Sequence, residues 1–142
     1  MAGIESMTGG CLCGAVRYEA HNVDPHYHAC HCGMCRRWGG GAFLGVDAGS
    51  VQFDSETSIL RYGSSEWTSR GSCADCGSSL FYHFKPEDRY VLCAGSFDDQ
   101  SALVLANEIY IDHKPDGYDF AGDLPKMTEA EVIAKFAPPS AD

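Results

Sequence analysis

Seven of the eight cysteines in this chain stand close to another cysteine, at spacings that suit metal binding. Two cysteines separated by one or two residues can reach a single ion, because the turn between them directs both sulfurs to one point. Zinc takes four thiolates in closed structural sites and keeps one position open in catalytic sites. We therefore predict a zinc protein rather than a disulfide-bonded one. The cysteines form three groups: Cys11 and Cys13; Cys30, Cys32 and Cys35; Cys73 and Cys76.

The spacing alone leaves open how the three groups divide between ions. Both divisions below give one set of four ligands and one set of three. Zinc is favoured over an iron–sulfur cluster, because zinc sites are the commoner use of such motifs in small β proteins. The first division joins Cys32, Cys35, Cys73 and Cys76, and leaves Cys11, Cys13 and Cys30. The second joins Cys11, Cys13, Cys73 and Cys76, and leaves Cys30, Cys32 and Cys35 as a compact open site.

Charged side chains flank the central cysteine group. Arg36 and Arg37 directly follow Cys35 and are candidates to anchor a substrate carboxylate in a bidentate fork; the alternative is that they are solvated or pair with local acids. His31 lies between two candidate ligands and is interpreted as a proton shuttle, a spare ligand or a hydrogen-bonding support. Cys93 stands alone in an apolar run and is predicted to be a buried core thiol.

Length and charge restrict the class of protein. A chain of 142 residues with a net charge of −10 predicts one acidic domain. An acidic field repels phosphate, so nucleic acid and anionic membrane surfaces are excluded as expected partners. No apolar run approaches the roughly 20 residues that a membrane span needs. Residues 1–10 lack the basic and apolar segments of a signal peptide, so we expect a cytoplasmic protein with reduced thiols. Met7 is an alternative start of the chain.

Short alternating segments and glycine-rich turns predict a mainly β fold that positions these cysteines. One C-terminal helix is predicted at about residues 128–137. Thr128 and Glu131 form a capping box at its start, and Pro138-Pro139 ends it. Residues 112–127 are predicted to be an irregular surface loop. The predicted strands cover residues 15–19, 26–30, 42–46, 51–53, 59–62, 79–84, 90–95 and 108–112.

The joint cysteine pattern resembles that of the glutathione-dependent formaldehyde-activating enzyme family, which also includes centromere protein V. The similarity covers about residues 9–126. This chain departs from the family pattern at two places: it has Glu108 where the family often carries histidine, and it lacks the tryptophan that is common near Gly117. The segments that carry the resemblance are residues 10–18, 30–37, 70–73, 76–80 and 95–99.

The resemblance implies the second division of the cysteines and a fold. It implies a single zinc-binding domain over residues 1–142, built as a zinc-tied tent of antiparallel sheets, with two zinc ions per chain. The implied structural zinc is held by Cys11, Cys13, Cys73 and Cys76, and the implied catalytic zinc by Cys30, Cys32 and Cys35.

The resemblance, together with an open zinc site of three thiolates, implies a zinc-dependent carbon–sulfur lyase acting on a small thiol–aldehyde adduct. The resemblance implies the synthesis or cleavage of S-(hydroxymethyl)glutathione. Two alternatives stay open at this point: a non-catalytic, zinc-stabilised binding module, and a zinc enzyme that acts on another small electrophile without glutathione.

Overall fold

The structure is a computed structural model, and it describes residues 3–136. Strands dominate the chain, so the prediction of a mainly β fold with a short C-terminal helix is confirmed. Within residues 3–136, no helix has the length and apolar character that crossing a membrane requires. The strands are β1 Ile4–Gly10, β2 Arg17–Val23, β3 His26–Cys30, β4 Phe43–Phe53, β5 Ile59–Gly63, β6 Thr68–Cys73, β7 Ser79–Phe84, β8 Arg89–Cys93, β9 Val104–Ile109 and β10 Lys126–Met127; the helices are α1 Gly33–Gly39 and α2 Glu129–Phe136.

The described chain divides into two compact units. The first consists of the residues up to Tyr27 together with Gly45–Val104, and the second consists of His28–Leu44 together with the residues from Leu105 onward. The single zinc-binding domain over residues 1–142 stays a prediction.

The first unit is an antiparallel sheet in the order β1-β2-β4-β8-β7-β6-β5. Buried and more exposed residues alternate along most of β2, as in a strand with one covered side, whereas β6 is buried at nearly every position. Tyr18 is buried on β2, and its hydroxyl lies 2.6 Å from Ser96 Oγ, which satisfies the polar end of the ring. Cys93, predicted to be buried, is only half-buried at the end of β8.

Gly71 on β6 makes room for the central aromatic ring of this sheet. A Cβ atom at Gly71 would lie 2.1 Å from Phe81 Cζ, far inside van der Waals contact. The Phe81 ring is fully buried, with ring centroids 5.2 Å from both Phe53 and Tyr90, so it has little room to move. The close approach therefore requires glycine at this position.

We expect Gly71→Ala to lower the free energy of unfolding by about 1–3 kcal/mol, because overpacking forces the ring or the strand to shift. The measurement is the midpoint of urea denaturation. Gly63→Ala is the matched control, since nothing lies within 4 Å of a Cβ atom placed there. Equal midpoints for the two variants would contradict this packing argument.

The second unit contains the two helices and the strand β9. Strand β9 pairs with β10 in parallel and lies beside β3 in the sheet order. Cys32 caps the start of helix α1, and Gly40, in the left-handed region with φ 83°, ends it. At α2, the Thr128 amide donates to Glu131 Oε1 at 2.8 Å, so the capping box is confirmed. Pro138-Pro139 lies outside the described residues.

Candidate functional site

Four cysteines of the first unit converge on one point. Two come from the turn that follows β1, one ends β6, and one lies in the turn between β6 and β7. Their sulfurs all lie within 4.8 Å of one another. The Cys13 sulfur lies 3.7 Å from the Cys11 sulfur and 3.7 Å from the Cys73 sulfur. We call this set the four-thiol cluster: Cys11, Cys13, Cys73 and Cys76.

The donor set and its spacing fit a tetrahedral zinc ion. Zinc–sulfur bonds of about 2.3 Å at tetrahedral angles place neighbouring sulfurs about 3.8 Å apart. The turns that present the sulfurs end in glycines in the left-handed region, Gly14 at φ 85° and Gly77 at φ 80°, where a side chain would be strained. The Asp75 and Cys76 amides both point to Cys73 Sγ at 3.4 Å, as amides do toward thiolates. The four-thiol cluster could therefore hold a metal ion.

Ser78 supports one corner of the four-thiol cluster. Its hydroxyl accepts from the Leu12 amide at 3.0 Å and lies 3.1 Å from Cys76 Sγ, in position to donate to it. This hydroxyl, together with backbone amides, lowers the pKa of Cys76 to about 5. These hydrogen bonds favour the thiolate at Cys76, which is the form that binds metal.

Three cysteines of the second unit form another group, which we call the three-thiol cluster. Cys30 ends β3, Cys32 caps α1, and Cys35 lies in the first turn of that helix. Their sulfurs lie within 4.8 Å of one another, and Cys32 Sγ also accepts a hydrogen bond from the Cys35 amide at 3.3 Å. Cys30 and Cys35 are buried, whereas Cys32 is partly exposed.

The chemistry of the three-thiol cluster also fits a bound cation. Hydrogen bonds with Cys32 and Cys35, together with burial, raise the pKa of Cys30 far above its ordinary value. Three thiolates this close repel one another, so their joint ionisation needs a positive charge among them. This cluster could therefore hold a second metal ion, and the division of the cysteines is the second of the two that spacing left open.

The predicted substrate arginines lie on α1. Arg36 and Arg37 are both exposed and directly follow the buried Cys35. Both side chains are therefore open to solvent. Their role in binding a substrate carboxylate remains a prediction.

His31 is buried in the second unit, with 2% of its surface exposed. Its Nε2 donates to Glu108 Oε1 at 2.8 Å, and its Nδ1 lies 3.4 Å from the Tyr118 hydroxyl. The proton-shuttle interpretation of His31 remains a prediction. Sequence reasoning missed both contacts; the available signal was Glu108 itself, the residue at which this chain departs from the family pattern.

A third group of possible donors lies at the start of α2. Atoms of Asp112, His113 and Glu129 lie within 4.8 Å of one another, and the residues are exposed or half-buried. Asp112 Oδ1 accepts from the Glu129 amide at 3.0 Å, and His113 Nε2 donates to Glu129 Oε1 at 2.8 Å. These bonds cap the helix and explain the geometry of the group without an ion.

Comparisons with known proteins identify a family. Residues 6–113 match the family model of the glutathione-dependent formaldehyde-activating enzyme. The chain is 31% identical over 127 residues to an uncharacterized lyase of Schizosaccharomyces pombe, covering 88% of this chain and 93% of that protein. It is 29% identical over 85 residues to a Halomonas elongata protein provisionally named a glutathione-dependent formaldehyde-activating enzyme, covering 53% of this chain and 54% of that protein.

A solved structure shares the fold. A crystal structure of a Rhodobacter sphaeroides protein superposes with a TM-score of 0.56 at 18% identity, covering 84% of this chain and 99% of the other. The family match spans most of the chain, and it includes both cysteine clusters. The chain belongs to the glutathione-dependent formaldehyde-activating enzyme family.

Proposed function

We propose that this protein is a zinc-dependent carbon–sulfur lyase that acts on a small thiol–aldehyde adduct, with S-(hydroxymethyl)glutathione as the first candidate. The observation that carries the proposal is the convergence of three thiols at the start of α1, in a cluster that shares no residue with the four-thiol cluster. Under this proposal each chain binds two zinc ions. The four-thiol cluster holds a closed structural ion, and Cys30, Cys32 and Cys35 hold the catalytic one.

A zinc ion held by the three-thiol cluster would supply a Lewis acid that stabilises a thiolate at neutral pH. The reaction needs this chemistry, because cleavage of a hemithioacetal breaks the carbon–sulfur bond and leaves the electron pair on sulfur. The hydroxyl of the adduct loses its proton, and the products are a thiol and an aldehyde. The reverse direction forms the same bond from the same two molecules.

The residues of α1 suit an anionic substrate. The chain as a whole carries a net charge of −10, which repels an anionic thiol such as glutathione over most of the surface. Arg36 and Arg37 place two exposed positive charges directly after Cys35. We propose that they hold a substrate carboxylate, because a guanidinium binds a carboxylate through two parallel hydrogen bonds.

We propose that His31 supports the three-thiol cluster and that the protein acts in a reducing compartment. Buried against Glu108, the His31 imidazole is better placed to support the three-thiol cluster than to meet a substrate. Cysteines must stay out of disulfides to bind metal at either cluster, so we propose a reducing compartment, the cytoplasm, as the site of action.

The experiment that tests this function is exchange NMR of formaldehyde with glutathione, with and without the zinc-loaded protein. We expect the protein to accelerate exchange between free formaldehyde and the S-hydroxymethyl adduct. A parallel series with 2-mercaptoethanol, which lacks carboxylates, should show a weaker effect if Arg36 and Arg37 bind the substrate.

The other outcomes distinguish the alternative functions. Equal acceleration with both thiols would contradict a role for the arginines in recognising glutathione. No acceleration with either thiol, from protein that holds two zinc ions, would overturn the lyase proposal. The rival functions would then be a zinc-stabilised binding module or an enzyme that acts on another small electrophile.

A further inference from the structure

The residue between two thiols of the three-thiol cluster is fixed to β9 by two hydrogen bonds. The backbone amide of His31 donates to the Ile109 carbonyl at 3.1 Å, and its Nε2 donates to Glu108 Oε1 at 2.8 Å. Consecutive residues of β9 thus hold the main chain and the side chain of the same residue. Because His31 is covalently joined to Cys30 and Cys32, a shift of the His31 main chain is transmitted to both cysteines.

The imidazole does not compete with the sulfurs for the same space. Side chains alternate in direction along an extended backbone, and Cys32 is extended, with φ −61° and ψ 158°. The sulfurs of Cys30 and Cys32 both reach the cluster, and His31 between them is not among the residues whose donor atoms converge there. Its contacts with Glu108 therefore act on the cluster through the backbone and not as a ligand.

The buried Glu108 side chain has partners at both carboxylate oxygens. The side chain is only 4% exposed, and a buried carboxylate is costly unless hydrogen bonds or charges compensate it. His31 supplies a hydrogen bond to one oxygen, and Lys126 Nζ lies 3.9 Å from the other. The Glu108 amide also donates to the Pro125 carbonyl at 3.0 Å, which ties this residue to the segment leading into β10.

The opposite nitrogen of the imidazole has its own partner. A carboxylate can only accept, so the bond to Glu108 requires a hydrogen on Nε2. The Tyr118 hydroxyl lies 3.4 Å from Nδ1, and the Phe120 ring centroid lies 6.0 Å from the imidazole centroid. The ring is thereby held on several sides, and its orientation is defined mainly by the short bond to Glu108.

We propose that Glu108 is a positioning residue for the three-thiol cluster: through His31 it holds Cys30 and Cys32 at the sulfur spacing that the bound metal ion requires. This inference rests on the proposed metal occupancy of that cluster, but not on the lyase reaction. Partners that orient metal ligands from outside the coordination sphere commonly change metal affinity by about 10- to 100-fold.

The test is the zinc affinity of each cluster, measured by competition with a chelator of known affinity. The Cys32→Ser variant identifies which binding event belongs to the three-thiol cluster. In Glu108→Ala, we expect the affinity of that cluster to fall about 10- to 100-fold, while the affinity of the four-thiol cluster stays unchanged. Cobalt absorption spectra of the same variants report independently whether the geometry at the three thiols has changed.

Two further Glu108 variants keep the test decisive if Glu108→Ala fails to fold. Glu108→Asp withdraws the carboxylate from the imidazole by one methylene and should lose the same affinity. Glu108→Gln keeps an oxygen that can accept from Nε2 and should retain most of the affinity. The matched control is Glu129→Ala, which removes another 2.8 Å contact between a glutamate Oε1 and a histidine Nε2, at an exposed site, and should leave both affinities unchanged.

Unchanged affinity of the three-thiol cluster in Glu108→Ala and Glu108→Asp would overturn the inference, even if thermal stability fell. So would an equal loss at both clusters, since that result indicates a general structural role. Absence of lyase activity in the wild type would refute the proposed reaction and leave this test intact. A wild-type chain that binds only one ion would overturn both proposals.

Discussion

Cys32→Ser is expected to reduce catalysed exchange between formaldehyde and its glutathione adduct to the uncatalysed rate, while the fold survives. Cys32 is the N-cap of α1, and its sulfur accepts from the Cys35 amide at 3.3 Å. Serine is a preferred N-cap residue, so its hydroxyl can replace the sulfur in this bond and keep the helix. A hydroxyl does not ionise near neutral pH, so the three-thiol cluster loses one of its anionic ligands.

Exchange NMR and circular dichroism of the same samples measure the two parts of this prediction. Met34→Leu is the control: Met34 lies on α1 between the two cysteines, is 49% exposed and contributes no thiol. We expect wild-type rates from that variant. Wild-type rates from Cys32→Ser would show that the reaction does not use the three-thiol cluster.

Cys73→Ser, unlike Cys32→Ser, is expected to abolish stable folding. Cys73 ends β6 with 1% of its surface exposed, and its sulfur lies 3.7 Å from the Cys13 sulfur. The four-thiol cluster joins the turn after β1 to the turn between β6 and β7. Binding of a structural zinc ion contributes folding free energy directly, on the order of 10–16 kcal/mol in small zinc-binding peptides. That contribution exceeds the net stability of many domains.

Thermal unfolding followed by circular dichroism provides the measurement for Cys73→Ser. We expect loss of the cooperative transition, and we expect a strong chelator to produce the same change in the wild type. Cys32→Ser serves as the matched cysteine-to-serine control and should keep a cooperative transition. Unfolding of Cys73→Ser within a few degrees of the wild type would contradict a structural role for the four-thiol cluster.

Local patterns predicted most of the strands because each carries its own signal. Alternation in residues 79–84 marks β7, and the Thr128–Glu131 capping box marks α2. The strand predicted at 108–112 was misplaced: it overlaps β9 only at Glu108 and Ile109, and Ile111–His113 form a 3-10 helix. Strand β1 was missed, because Ile4–Gly10 contains few apolar residues and ends in two glycines. Its conformation depends on antiparallel pairing with β2, and that pairing is a tertiary interaction without a local signal.

The candidate site shows the same limit more clearly. Spacing identified the seven clustered cysteines, but it could not decide which of them share an ion. That choice depends on which turns the sheet brings together, as for Cys13 and Cys73, which are 60 residues apart. Likewise, no local pattern connects His31 with Glu108, 77 residues along the chain. Sequence therefore supplies the donors, and long-range strand pairing determines their grouping.

Native mass spectrometry of the intact chain tests the central claim, that the cysteines form one four-sulfur site and one independent three-sulfur site. The account predicts two zinc ions in the wild-type chain and one in folded Cys32→Ser. It predicts that the ion retained by Cys32→Ser is removed only by conditions that also unfold the chain. A single zinc ion in the wild type, or loss of both ions on replacing Cys32 alone, would contradict it.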